Sequence, residues 1–157
     1  MNSRTKSSIP FVGLHAHSVA GSPFDALGYP PDHMDFAFEN GMDALALTDH
    51  GNMNGLAWQV LHAKKMHKAG KEFKPIFGCE AYFIPSIKKW KKEYEDIKAA
   101  SKKKSDYEAD NSGTTVEDEG ASKKKIKSIL NRRRHLILLA MNQTGLQNIF
   151  KMISQSY

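Results

Sequence analysis

Apolar residues fall in short runs along this chain, and turn residues separate them. Residues 11–17, Phe-Val-Gly-Leu-His-Ala-His, read as a short strand. A Gly/Ser/Pro loop covers residues 19–29. Pro30 and Pro31 then introduce a helix in which Met34, Ala37 and Phe38 recur at i, i+3, i+4, and Gly41 is its stop after Asn40. The run Ala-Leu-Ala-Leu-Thr at 44–48 is apolar and bounded by turn residues, the pattern of a buried parallel strand. Residues 51–55 form a turn. A helix follows to about Ala69, with Leu56, Val60, Leu61 and Lys64 along one side and Gly70 at its end. Residues 75–84 hold the next strand. His-Leu-Ile-Leu-Leu-Ala at 135–140 reads as another buried strand, and Thr144 is placed to cap a final helix whose Leu146, Ile149, Phe150 and Ile153 share a face.

The resulting order is β-α-β-α-β-insert-β-α. Alternation of this kind implies an α/β fold, a parallel sheet with helices outside it. Right-handed crossovers curl such a sheet into part of a barrel, with chemistry at the carboxyl ends of the strands. The 157 residues suit one domain but fall short of the roughly 250 of a whole (β/α)8 barrel. Residues 1–10 are a polar tail. Between 88 and about 128 the composition turns to lysine triplets and Asp/Glu/Ser/Gly stretches. Its first part reads as helical, and 99–122 as a disordered insert.

Charge adds one restriction. The net charge is +6, yet residues 88–134 hold 15 Lys or Arg against 9 Asp or Glu, so the whole excess lies there. A basic loop attracts phosphates; a solvated lysine-rich insert is the plainer reading. No apolar run approaches the roughly 18 residues of a membrane span, and the N-terminus has no signal-peptide core. The single cysteine, Cys79, excludes an internal disulfide framework and fits a reducing cytoplasm.

Several residues have the chemistry of metal ligands. His15 and His17, at i and i+2 of a strand, point to one face and bring two imidazoles together; a surface pair is the alternative. Asp49 and His50 follow a strand and precede Gly51-Asn52. His50 reads as a ligand. Asp49 reads either as a turn and capping residue or as a group orienting a ligand histidine. Glu80 is a carboxylate in an apolar strand, costly there unless paired or metal-bound, and suited to bridge two ions; a salt bridge at a strand end is the alternative. Its neighbour Cys79 points the other way as a small buried hydrophobe. Asp25 is either a ligand or a turn residue. His135 precedes its apolar run, which conflicts with ligands standing after strands. His33, His62 and His67 fall on helices as ordinary surface residues. Three strands thus deliver His, His, His and Glu to one side of a sheet, with no Gly-rich phosphate loop, nucleophile elbow or Cys-x-x-Cys pair.

The strings Phe-Val-Gly-Leu-His-Ala-His-Ser, Ala-Leu-Ala-Leu-Thr-Asp-His-Gly-Asn-Met, Lys-Pro-Ile-Phe-Gly-Cys-Glu-Ala-Tyr and His-Leu-Ile-Leu-Leu-Ala-Met-Asn-Gln-Thr-Gly-Leu-Gln-Asn-Ile resemble, in order, the PHP domain that opens bacterial C-family replicative DNA polymerases, the DNA polymerase III alpha subunits. The resemblance covers residues 11–87 and 135–157. It implies a distorted seven-stranded β/α barrel, of which this chain would be part, and a cleft for up to three divalent ions, zinc or manganese. Carried over, His15, His17, Asp25, His50, Glu80 and His135 are the expected metal ligands, His135 included despite its place before the strand. Some family members keep the domain only as a scaffold; others retain a metal-dependent 3′–5′ exonuclease. A ligand-type residue at each of these six positions points to the second group. DNA, the rest of a polymerase chain and replisome subunits are the expected partners, and the cytoplasm the expected compartment. The family's last three ligands and the polymerase palm are expected beyond Tyr157, so this chain reads as an incomplete PHP domain unable to polymerise DNA alone. A stand-alone phosphoesterase is the remaining alternative.

Overall fold

The computed structural model describes residues 9, 11–111 and 134–157. The order of elements is α1 (Pro30–Glu39), β1 (Ala44–Leu47), α2 (Leu56–Lys68), β2 (Lys74–Phe83), α3 (Ile87–Asn111), β3 (Arg134–Leu139) and α4 (Gln143–Ser156). The fold is mixed α/β, with a three-stranded sheet in the order β1-β2-β3 among the described residues. The chain divides into two units, residues 1–82 with 135–157, and residues 83–134.

The core of the first unit follows from the apolar spacing. All four residues of β1 are buried. Leu45 and Leu47 pack with Met34 and Ala37 of α1, Ala63 and Met66 of α2, and Phe73, while Ala16, Phe38 and Met42 close the cluster. Pro30 and Pro31 stand in the first turn of α1, where no backbone N–H is missed. The Asp32 carboxylate accepts from the Tyr29 N–H at 2.7 Å. Gly41 (φ 87°) and Gly70 (φ 73°) lie just past the ends of α1 and α2, as expected. The buried face of α2 is Gln59, Ala63 and Met66, not the expected Leu56–Lys64 side; Leu61 is 64% exposed. A polar Gln59 within the buried stripe displaced the apolar reading. Asn142, not Thr144, caps α4, its side chain accepting from the Gly145 N–H at 2.9 Å, and Ile149 is the buried residue of that helix.

Two corrections concern the sheet. Residues 11–17 form no regular strand. They lie beside β1 through a parallel bridge, Gly13 to Leu45, and through hydrogen bonds from Ala46 N to Gly13 O (2.8 Å) and Thr48 N to Ala16 O (2.7 Å). Phe11, Val12 and Leu14 are exposed, so little burial holds a longer ladder there. The second correction is direction. β1 and β2 are parallel, with Ala44 opposite Lys74 and Leu47 opposite Phe77. Along β2 and β3, His135 meets Glu80, Leu138 O lies beside Gly78, and Ala140 N donates to Phe77 O at 2.8 Å. The partners descend along β2 as they ascend along β3, so this pair is antiparallel and the sheet is not the all-parallel one expected.

The second unit carries α3. Ser86 caps it, its Oγ accepting from Lys89 N at 3.3 Å; Lys89 pairs with Glu93 at 3.9 Å, and the Trp90 and Tyr94 rings stack at 5.4 Å. The helix runs on to Asn111, past Ala99, where disorder was expected to begin; residues 112–122 of that stretch lie outside the described residues. No helix among the described residues is long and apolar enough to cross a membrane.

Candidate metal centre

Glu80 sits at the middle of the site. It lies on β2 and is 0% exposed. Its neighbour Cys79 is likewise buried, and burial pushes the Cys79 thiol pKa up, so it stays protonated. The turn after β1 docks on β2 through Glu80 N to Asp49 O (3.0 Å) and Gly51 N to Glu80 O (2.9 Å), which brings His50 alongside Glu80.

Four imidazoles converge on the Glu80 carboxylate. His15 Nε2 lies 2.6 Å and His17 Nε2 3.1 Å from Oε2, and these two ring nitrogens are 3.0 Å apart. His50 Nδ1 lies 3.3 Å from Oε1, and His135 Nδ1 contacts the same oxygen. Two ligand groups result, His15–His17–Glu80 and His50–Glu80–His135, each with its donor atoms within 4.8 Å of one another. Despite the crowding, Glu80 Oε1 has no hydrogen-bond partner among the described residues. A wholly buried carboxylate oxygen left so, with ring nitrogens turned toward it, has the donor chemistry of a cation position. The antiparallel direction of β3 explains how His135, before its apolar run, reaches the same end of the sheet as Glu80.

The remaining expected residues stand around these groups. Asp25, from the loop after His17, places Oδ2 2.7 Å from His50 Nε2. It belongs to neither three-residue group; a carboxylate on the distal nitrogen of a ligand histidine turns the other nitrogen, here Nδ1, toward the metal position. Asp49 is buried and its carboxylate accepts three hydrogen bonds: Oδ1 from Ser18 N (2.6 Å) and Ser22 Oγ (3.1 Å), Oδ2 from Ser18 Oγ (2.8 Å). Its link to His50 runs through Ser22, whose Oγ accepts from the His50 N–H at 3.1 Å. Burial, then the neighbouring His50, holds the His17 imidazole below the ordinary histidine pKa, against an opposing pull from Glu80. A neutral ring is the form that binds a metal.

Three residues escaped the reading of the sequence. In the sequence Ser22 reads as loop and Ser18 has no assigned role, although a buried Asp49 needs donors and serines are their usual source. Tyr82 is two residues from Glu80 on β2; its ring lies parallel to His50 (6.2 Å) and edge-on to His135 (5.1 Å), and strand period alone would have placed it there. The helix histidines stand apart from both groups, and His62 and His67 each have a partner. His62 Nε2 lies 3.0 Å from Asp35 Oδ1, and His67 Nε2 lies 2.8 Å from Phe73 O.

Comparison with known proteins shows the family. The model of the PHP domain family matches residues 13–157. The DNA polymerase III subunit alpha of Treponema pallidum is 31% identical over 147 residues, and that of Borreliella burgdorferi 33% identical over 147 residues. Each alignment takes in 94% of this chain and 9% of the relative, so the chain spans a small part of those proteins. The PolC-type DNA polymerase III of Thermotoga maritima is 40% identical over 82 residues, 52% of this chain and 6% of that protein. With a family match over nearly its whole length and a cluster of His and Glu side chains of metal-ligating type, the chain belongs to the PHP domain family.

Proposed function

We propose that this chain serves as the PHP domain of a bacterial replicative DNA polymerase of the DNA polymerase III alpha type, working in the cytoplasm with DNA, the rest of the polymerase chain and other replisome subunits. In this reading the domain is part of a distorted β/α barrel, and its centre holds divalent ions, zinc or manganese, for hydrolysis of a phosphodiester at a DNA 3′ end. The supporting observation is the convergence of His15, His17, His50 and His135 on one buried carboxylate. His15 and His17 would hold one ion with Glu80, and His50 and His135 a second, with Glu80 between. Bound divalent metal supplies Lewis-acid neutralisation of phosphoryl charge and acidifies water. The protein's own contribution is placement: β2 fixes Glu80, Asp25 holds His50 by its outer nitrogen, and Asp49 holds the loop that carries His17 and Asp25.

The test uses the polymerase that carries this domain, purified free of contaminating nucleases, and a single-stranded DNA labelled at its 5′ end. Metal-dependent shortening from the 3′ end is expected, and its loss in a His15→Ala/His17→Ala variant that still polymerises. Absence of such shortening in the unaltered polymerase refutes the exonuclease reading and leaves a scaffold domain.

A further inference from the structure

Ser22 touches both halves of the centre without being a metal ligand. It lies on the loop after His17 and is 4% exposed. Its Oγ donates to Asp49 Oδ1 at 3.1 Å, accepts from the His50 N–H at 3.1 Å, and lies 3.5 Å from His17 Nδ1. The last contact is at the outer edge of hydrogen-bonding range. The chemistry of the three partners still fixes its sense. A hydroxyl has one proton, and Asp49 as a carboxylate can only accept it. What Ser22 offers His17 is a lone pair, so the matching tautomer of His17 carries its proton on Nδ1. Its own lone pair then sits on Nε2, the nitrogen beside Glu80 Oε2 and His15 Nε2.

We infer that Ser22 is a positioning residue that passes the fixed orientation of Asp49 to two ligand histidines, setting the His17 tautomer through its lone pair and the His50 turn through the backbone. This rests on the metal-binding reading above and adds the means by which the loop, outside the sheet, is held in register with it. The loop's close approach supports the same role. A Cβ at Gly21 would stand 2.6 Å from Asp49 Cβ and 2.4 Å from Asn52 Oδ1, so the glycine lets the loop lie directly on the acid. Asn52 Nδ2 adds a hydrogen bond to Gly21 O at 2.9 Å.

The experiment is nitrogen-15 NMR of the histidine side chains in the metal-free chain, with metal affinity measured separately by zinc competition against a chromophoric chelator. The unaltered chain is expected to show His17 protonated on Nδ1. Ser22→Ala is expected to mix the two tautomers and weaken zinc by about 10–100-fold, and Ser22→Thr, which keeps the hydroxyl, to restore most of both. His17 found with its proton on Nε2 in the unaltered chain overturns the inference, whatever the variants do. So does a Ser22→Ala chain with unchanged tautomer and zinc affinity within twofold. A chain that binds no zinc at all would refute the metal-binding reading instead, and the tautomer measurement would still stand on its own.

Discussion

Replacing Glu80 with Gln removes the side chain shared by both ligand groups while changing its shape very little. The expected magnitude follows from the geometry. Four-coordinate zinc with nitrogen and oxygen ligands at about 2.0–2.1 Å sets neighbouring ligand atoms about 3.3 Å apart. Here His17 and His50 stand 3.1 and 3.3 Å from the Glu80 oxygens, His15 and His17 stand 3.0 Å from each other, and His15 stands 2.6 Å from Oε2. At the His15–His17 position, loading therefore asks for shifts of several tenths of an ångström. Removing a residue that merely supports a ligand costs about 10–100-fold in metal affinity. Removing a buried, charged and shared ligand should exceed about 100-fold at each position, or about 2.7 kcal/mol. Isothermal titration with zinc, against a chelator of known strength, reads both affinity and stoichiometry. Both ions are expected to be lost together in Glu80→Gln, whereas His15→Ala/His17→Ala is expected to spare the His50–His135 position. Loss of one ion from Glu80→Gln with the other unaffected would refute the shared role, and unchanged binding would refute the centre itself.

Other consequences are independent of metal. Asp49→Ala leaves Ser18 N, Ser18 Oγ and Ser22 Oγ without their acceptor and is expected to lower stability by about 3 kcal/mol in urea unfolding. Met34→Ala, at a wholly buried core position, should cost about 2–5 kcal/mol in the same assay while leaving the centre's histidine NMR signals in place. The depressed His17 pKa has a definite sign: the unfolded chain takes up this proton more readily than the folded one, so the contribution is present above the ordinary value of 6.5 and is lost as pH falls through the lower folded value. The metal-free chain should thus be less stable at pH 5 than at pH 7, and His17→Gln should flatten that slope; an unchanged slope would remove His17 as its source.

Legibility in the sequence varied with what each feature depends on. Strand β1 and the buried face of α1 were visible because burial there follows a local period, Met34–Ala37–Phe38 above all. Glu80 stood out because a carboxylate in an apolar strand needs a partner, and His15 with His17 because alternate strand positions share a face. Strand direction is not local, so the conflict over His135 resolved only when β3 proved antiparallel to β2. The buried stripe of α2 was misplaced because Gln59 is polar yet buried. The Ser18–Ser22–Asp49 network was missed because small polar residues in a loop read as turn chemistry until the buried acid they serve is seen.

The most direct test of the metal centre is anomalous X-ray diffraction from crystals of the chain grown with zinc or manganese, recorded at the metal's absorption edge. Two peaks flanking Glu80 are expected, one within bonding distance of His15 and His17 and the other of His50 and His135. Crystals that show ordered side chains at these residues and no anomalous peak beside Glu80 would contradict the account.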